Sequence, residues 1–132
     1  MAVTLGGLDA LVELTGQQLQ ARGHADSPLQ QDRYGQMLIA QETAALWTRS
    51  AAHHAEGGTQ SPADAVAYVN LARIAVEHAC LDAMRHAQRS IGFGTFLTTN
   101  PLERLLRDLA TYLRQPAPDA VLTEAAQHRL RP

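Results

Sequence analysis

The stretch from Tyr68 to Pro118 decides the fold and reads YVNLARIAVEHACLDAMRHAQRSIGFGTFLTTNPLERLLRDLATYLRQPAP. It contains a long apolar helical pattern, a turn with Gly92 and Gly94, and a second helical pattern that starts after Asn100. Glycine accepts the left-handed backbone that ends a helix, and proline tolerates the first helical position because its missing N–H needs no partner there. The stretch therefore predicts two helices joined by a short glycine-bearing turn.

The same start and stop signals recur upstream. Ser27-Pro28 and Ser61-Pro62 match Asn100-Pro101, because each places a side chain that can accept a backbone N–H before a proline. Gly23 and Gly57-Gly58 follow helical patterns and are typical of helix ends. These signals predict helices near 4–22, 28–56, 62–91 and 101–115, and a short fifth helix near 119–130.

Apolar residues fall on one face of the first, second and fourth predicted helices. On the second helix the predicted inner face consists of Tyr34, Met37, Leu38, Ala45, Thr48 and Ala52. The third helix is apolar around most of its circumference, so we expect it to be central or to contact two neighbours. Short connections between long helices favour antiparallel neighbours. The prediction is an all-α fold: an up-down-up-down four-helix bundle with a short C-terminal helix, in a single domain over residues 1–132.

The composition supports one folded domain and argues against several classes of function. Hydrophobic residues make up 45% of the chain and charged residues 18%, which is typical of a folded protein. A net charge of −2 provides no basic field for nucleic acid, and no apolar run approaches the roughly 18 residues that a membrane span needs. A single cysteine, Cys80, fits a reducing compartment. We expect a cytoplasmic protein that binds neither nucleic acid nor membrane.

Residues that could carry chemistry lack the spacing that chemistry needs. His78 and His86 are eight residues apart, and the adjacent His53 and His54 diverge by about 100° on a helix, whereas helical metal ligands stand three or four apart. No glycine-rich phosphate loop, catalytic Ser/His/Asp order or H-E-x-x-H element is present. Cys80 lies within an apolar helical pattern and is expected to be a small buried side chain. We therefore predict no catalytic and no metal-ligating residue.

Two segments resemble the C-terminal helical domain of the acyl-CoA dehydrogenase superfamily. Pro101-Leu102-Glu103-Arg104 with Arg107-Asp108 looks like that family's P-L-E-R-x-x-R-D segment, and Ile91 to Gly94 looks like its glycine loop. Asp26 to Gln31 and Gly35 resemble the second helix start of the branch that includes flavin monooxygenases. The resemblance runs from about Leu5 to Pro118. It implies a four-helix bundle that packs against two other flavoprotein domains, forms the core of a homodimer or tetramer, and contacts FAD.

The resemblance also implies which residues contact the cofactor. Carried over by position, they are Arg22, Gln31, Gly92, Gly94 and Thr95. Arginine can fork onto a pyrophosphate, and an open glycine turn lets backbone N–H groups approach an anion. A structural interpretation is equally available: Arg22 interacts with a helix C-terminus, Gln31 belongs to a helix start, and the glycines end a helix.

The chain also departs from the family pattern. Where family dehydrogenases place a catalytic glutamate, it reads Arg114-Gln115-Pro116-Ala117-Pro118-Asp119, with no carboxylate at the aligned position. Asp119 is either a displaced base or a cap of the last helix, and Phe93 replaces a loop glycine and would crowd a close backbone approach. Two hypotheses follow. The chain is a domain that completes an FAD cleft in a flavin-dependent oxidoreductase and is inactive alone, or it is a flavin-free helical scaffold or interaction module.

Overall fold

The computed structural model describes residues 1–57, 60–114 and 117–132. These residues form five α-helices and one 3-10 helix, with no strand among them. The helices are α1 Ala2–Ala21, α2 Pro28–Ala55, α3 Pro62–Ile91, α4 Pro101–Tyr112 and α5 Pro118–Leu130, and the 3-10 helix Gly92–Phe96, here the glycine turn, follows α3 directly. The predicted all-α class is therefore confirmed.

Three helices begin at the prolines that the sequence marks, at positions 28, 62 and 101. The side chains of Ser61 and Asn100 accept backbone N–H groups from the first turns of α3 and α4, as predicted. Ser27 precedes α2 with extended backbone, but its side chain makes no capping hydrogen bond. The predicted starts are thus confirmed, and the predicted side-chain cap is wrong at Ser27.

The other boundaries agree with the predicted ones within a few residues. α1 begins two residues earlier than predicted, and Gly23 follows it with a φ of 71°, as expected of a helix stop. α5 begins at Pro118, so Ala117 stands at its N-cap and Asp119 lies in its first turn. The interpretation of Asp119 as the cap is therefore wrong. The predicted end of the fourth helix at Gln115 lies outside the described residues.

The hydrophobic core surrounds α3, which packs against α1, α2, α5 and the glycine turn. This central position confirms the expectation from its apolar circumference. Alanines line much of its buried surface and let neighbouring helices come close, while leucines from α1 and α4 supply the bulk. The buried residues concerned are Ala72, Ala79, Ala83 and Ala87 of α3, Leu8, Leu11 and Leu19 of α1, and Leu102, Leu106 and Leu109 of α4.

The inner face of α2 differs from the predicted one. Its buried residues are Met37, Ala40, Ala44 and Ala51, whereas Leu38 is exposed. Alanine has a small apolar side chain. A pattern of hydrophobic residues is therefore set mainly by leucine and isoleucine, and it does not reveal a buried stripe of alanines. Met37 is buried as predicted, whereas Ile39 and Leu46 are exposed together with Leu38.

Neighbouring helices run in opposite directions where side-chain contacts define their relative direction. In each of the two helix pairs, contacts that lie further along the first helix involve residues that lie earlier in the second. The contacts are Gln41 with Asp9 and Tyr34 with Gly16 for α1 and α2, and Gln30 with Ser90 and Ser50 with Tyr68 for α2 and α3.

Asn100 joins the start of α4 to the end of α1. Its amide exchanges two hydrogen bonds with the Gln18 amide, at 2.6 and 2.9 Å, and its Oδ1 also accepts the Leu102 backbone N–H at 3.0 Å. At the other end of the same helix pair, a Cβ on Gly7 would lie 2.5 Å from Leu109 Cδ2, so α1 and α4 are in close contact there. One side chain therefore caps α4 and fixes it against α1.

Replacing Asn100 with alanine should lower the free energy of unfolding by about 2 kcal/mol, because the cap and the paired amide bonds are lost together. Urea denaturation measures this loss. Ser27→Ala is the matched control: since Ser27 makes no capping bond, its change should stay within about 0.5 kcal/mol. Equal losses in the two variants would contradict the role of Asn100 as a joint.

Candidate functional site

Three side chains, one directly after α1 and two in α2, donate hydrogen bonds to the last carbonyls of α3. Arg22 Nη1 donates to the Ile91 oxygen at 3.0 Å, and Arg33 Nη1 donates to the Arg89 oxygen at 3.1 Å. Gln30 Nε2 lies 3.5 Å from the oxygen of the intervening residue. The last carbonyls of a helix have no intrahelical partner, and cations suit its negative end. These donors therefore satisfy and neutralise the end of α3.

The glycine turn leaves α3 through a backbone conformation that suits glycine. Gly92 has φ 69° and ψ −139°, a region that side chains with a Cβ rarely adopt. Thr95 is 2% exposed, and its Oγ1 donates to the Gly92 oxygen at 2.9 Å. Thr95 thus holds the turn closed from inside rather than presenting its hydroxyl to solvent.

Gly94 provides the space in which the Arg22 guanidinium lies. A Cβ on Gly94 would come 2.8 Å from Arg22 Nη2, closer than side-chain atoms approach one another without displacement. Arg22 is exposed as a residue, and its bond to the Ile91 carbonyl is partly buried. The structure therefore brings Arg22, Gly92, Gly94 and Thr95 together.

Gln31 is the one predicted cofactor residue with contacts elsewhere. Its Nε2 donates to the Ala25 oxygen at 3.0 Å in the connection between α1 and α2. It also lines a cavity of about 270 Å³ between those helices, with Gly16, Leu19 and Tyr34 among the other lining residues. Neither Arg22 nor the glycine turn lines this cavity.

Buried polar atoms without hydrogen-bond partners occur next to the α3 end. Among the described residues they are Gln30 Oε1, Ser90 Oγ and His86 Nδ1. Ser90 stands four residues after His86 on α3, and the Gln30 amide contacts the Ser90 carbonyl. Leaving such atoms unpaired is costly, so this part of the α2 and α3 interface is polar enough to hold an ordered water. The sequence pattern gives no sign of this cluster.

The outer surface of the glycine turn is apolar. Phe93 is 77% exposed and Phe96 67%, and Leu97 beside them is also exposed. The Phe93 side chain is therefore open to solvent, and its crowding of a close approach to the turn stays a prediction. An exposed aromatic pair beside Arg22 offers both an apolar contact and a positive charge to whatever covers this end of the bundle.

The six histidines and the single cysteine all lie among the described residues. No group of three or more His, Cys, Asp or Glu side chains among them could hold a metal ion. Cys80 is fully buried, as predicted, and burial raises the pKa of its thiol to about 11, which keeps it protonated and unreactive near neutral pH. None of the described helices is both long and apolar enough to cross a membrane.

The contact between Arg22 and Gly94 can be measured by a double-mutant cycle. Gly94→Ala should cost about 1 to 2 kcal/mol in the native background, because the new methyl displaces Arg22 from the Ile91 carbonyl. The same change should cost about 1 kcal/mol less in Arg22→Ala, where nothing has to move. Gly6→Ala, which meets open space on helix α1, should instead stabilise the protein. Additive losses at positions 22 and 94 would show that the two residues do not interact.

A comparison with known families identifies the fold's relatives. The family model described as the acyl-CoA dehydrogenase C-terminal domain matches residues 3–114, which includes α1 to α4 and the glycine turn. Searches of curated proteins and of solved structures find no match. Because the family match covers most of the sequence, the chain belongs to the acyl-CoA dehydrogenase C-terminal domain family.

Proposed function

We propose that this chain works as the C-terminal helical domain of an acyl-CoA dehydrogenase-like flavoprotein, in which it forms the oligomer core and one wall of an FAD cleft. The full assembly would be a flavin-dependent oxidoreductase acting on a thioester or a similar small substrate. The single observation that carries this proposal is the position of Arg22, which is exposed and held over a turn of glycines. The family match supports the domain assignment.

The residues at the glycine turn fit the anionic part of FAD. Arg22 uses Nη1 for the Ile91 carbonyl, and a guanidinium carries five N–H donors in all, so further donors are available to a pyrophosphate. The absence of a side chain at Gly94 keeps the guanidinium in place. Gly92 and Gly94 would bring backbone close to the cofactor, while Thr95 would hold the turn in shape through its bond to the Gly92 oxygen. When bound, FAD would supply the redox chemistry.

Gln31 would act from a second position. Its amide lies at the cavity between α1 and α2, where polar amides and the Tyr34 ring surround an apolar floor. Such a lining suits a flat group that carries both donors and acceptors. We assign Gln31 to a polar part of the cofactor away from the pyrophosphate, or to a neighbouring subunit that closes the cavity.

This chain would not supply the catalytic base. The sequence has no carboxylate at the position aligned with the family's catalytic glutamate, and Asp119 lies exposed in the first turn of α5, four residues before Thr123, which donates to its carbonyl. The substrate and the flavin ring would meet residues of two other domains. We therefore assign positioning of the cofactor, and no bond-making step, to this domain.

Oligomer formation would use the outer face of α2 and α3. Ile39 is 62% exposed and Leu46 54%, seven residues apart on the same side of α2. Between α2 and α3 runs an open groove of about 520 Å³ with Ala40, Ala75 and Ala79 at its base. Ile39 and four polar residues line the rest of this groove: Gln36, Thr43, His78 and Asp82. A homodimer or tetramer would cover its apolar base and contact these polar residues.

A flavin-free scaffold is the second candidate. The bond from Arg22 to the Ile91 carbonyl favours it, because this bond gives the arginine a structural purpose without any cofactor. In that case the apolar face of α2 and the aromatic pair on the glycine turn would remain as contact surfaces. Flavin retention separates the two candidates.

The flavin proposal can be tested by removing the charge of Arg22 while keeping a side-chain N–H donor. With the other two flavoprotein domains present, the native chain should copurify with FAD in a one-to-one ratio, measured by visible flavin absorbance. Arg22→Gln should weaken FAD binding by about tenfold to a hundredfold, since bonds from a charged donor are the strong ones. Arg104→Gln, which removes an exposed charge from α4, is the control and should bind normally.

Each outcome of this experiment decides between the candidates. A colourless, folded complex with the native chain would eliminate the FAD cleft and leave the scaffold. Equal FAD binding by the native chain and Arg22→Gln would remove Arg22 from the site. Thermal unfolding of both variants, measured in parallel, distinguishes loss of affinity from loss of fold.

The oligomer surface is tested by placing a charge in its centre. Ile39→Asp should raise the dissociation constant of the homo-oligomer by about tenfold or more, because a carboxylate would be buried without a partner. Light scattering across a concentration series measures the shift. Val3→Asp introduces the same charge at an exposed position on α1 and should leave the mass unchanged. An unchanged mass for Ile39→Asp would show that association uses another face.

A further inference from the structure

Helix α5 lies outside the part of the chain that matches the family and contributes nothing to the main core. The family match ends at residue 114, and no residue of Pro118–Leu130 belongs to the hydrophobic core cluster. One residue of this helix, Ala125, is buried, at 1% exposure. Its apolar residues Leu122 and Leu130 are exposed. The helix therefore packs against α3 without joining the core that α1 to α4 form.

The start of α5 is also poorly stabilised. Its N-cap residue, Ala117, has φ 29°, a left-handed backbone conformation that is unfavourable for a residue with a Cβ. No side chain caps the free N–H groups of its first turn. The first turn therefore contributes little to holding this helix in position.

A chain of polar contacts at the opposite end fixes α5 to α3. The Asp64 carboxylate Oδ1 accepts from His128 Nε2 at 2.7 Å, and its Oδ2 accepts from Ser61 Oγ at 2.8 Å. Ser61 Oγ in turn accepts the Asp64 backbone N–H at 3.2 Å, which caps α3. The hydrogen bond from His128 is the largest cause that holds the pKa of the Asp64 carboxyl below its ordinary value. The contact joins the last turn of α5 to the capped first turn of α3.

The groove under α5 is incompletely filled. An open space of about 350 Å³ lies between α3 and α5, lined on one side by Val66, Ala67 and Asn70 and on the other by Glu124 and Ala125. Val66 remains mostly exposed although α5 lies beside it. Ala125 is the one buried side chain of α5, so this helix exposes little buried surface of its own when the two helices separate.

We propose that α5 is a strap that closes over the first half of α3 and opens as a unit, with the contact between His128 and Asp64 as its latch. Opening releases the polar bond at His128 and withdraws Ala125 from the groove, while α1 to α4 keep their core. Elements with few buried apolar contacts open at lower free energy than the whole protein unfolds. The open state uncovers Ala67 and its neighbours on α3, which are then accessible to another part of the assembly.

Hydrogen exchange of the full chain, followed by mass spectrometry of its peptides, tests this strap. In the native protein, amides of α5 should exchange faster than those of α3. His128→Ala should accelerate exchange in α5 by about threefold to tenfold, the usual effect of losing one hydrogen bond, and leave α1 to α4 unchanged. Gln127→Ala, at an exposed neighbouring position on the same helix, is the matched control and should change neither region.

A second variant tests the packing of Ala125 against α3. Ala125→Asp places a carboxylate in the groove and should remove protection from α5 alone, because burying an unpaired charge is unfavourable. The proposal is overturned if α5 exchanges no faster in His128→Ala than in Gln127→Ala. It is also overturned if either variant accelerates exchange equally in all helices, since α5 would then belong to the cooperative core. Neither result depends on flavin binding.

Discussion

A helix of 30 residues that ends against two other helices leaves its last backbone carbonyls without intrahelical partners. In this protein Arg22, Gln30 and Arg33 approach those carbonyls from the end of α1 and the beginning of α2. These contacts form only when the end of α1, the start of α2 and the end of α3 lie at the same height in the bundle. They therefore fix the positions of the three helices along their axes. They also cover the end of α3, and the chain must therefore turn away sharply. The positive φ of Gly92 makes that turn possible, and the glycine turn depends on the capped helix end that precedes it.

Small side chains determine the other half of the architecture. Alanines on the facing sides of α2 and α3 let the two long helices pack closely, so that little apolar volume is needed between them. Two larger apolar residues of α2, Ile39 and Leu46, are left exposed on the outer side. A single arrangement thus produces a tight intramolecular contact and an uncovered apolar face. In an isolated chain this face would be unfavourable in water, and the proposed association would relieve that cost.

Features that depend on residues adjacent in sequence could be predicted, and features that depend on distant contacts could not. Helix starts at Pro28, Pro62 and Pro101 depend on a cap and a proline that are adjacent in sequence, and the structure confirms them. The inner face of α2 depends on which neighbour it packs against, and alanines carry too little apolar weight to reveal that from a pattern. Contact between Arg22 and Ile91 joins positions 69 residues apart, so the sequence suggests a helix-end role for the arginine without naming the helix. Gln31 does not join the other predicted residues, because its side-chain amide donates to the Ala25 carbonyl. The helical pattern of the sequence does not predict this contact.

The two interpretations of Arg22 are physically compatible because its guanidinium has more donors than the helix end requires. One N–H is used by the Ile91 carbonyl, and Gly94 leaves room for the rest of the group. A side chain already ordered by one bond loses less conformational entropy when an anion arrives, so the structural bond would favour cofactor binding rather than compete with it. Capping a helix end requires a donor, with the charge adding a modest favourable interaction with the dipole. Holding a pyrophosphate requires the charge itself. The charge of Arg22, more than its hydrogen bond, is therefore the property that distinguishes a flavin cleft from a helical scaffold.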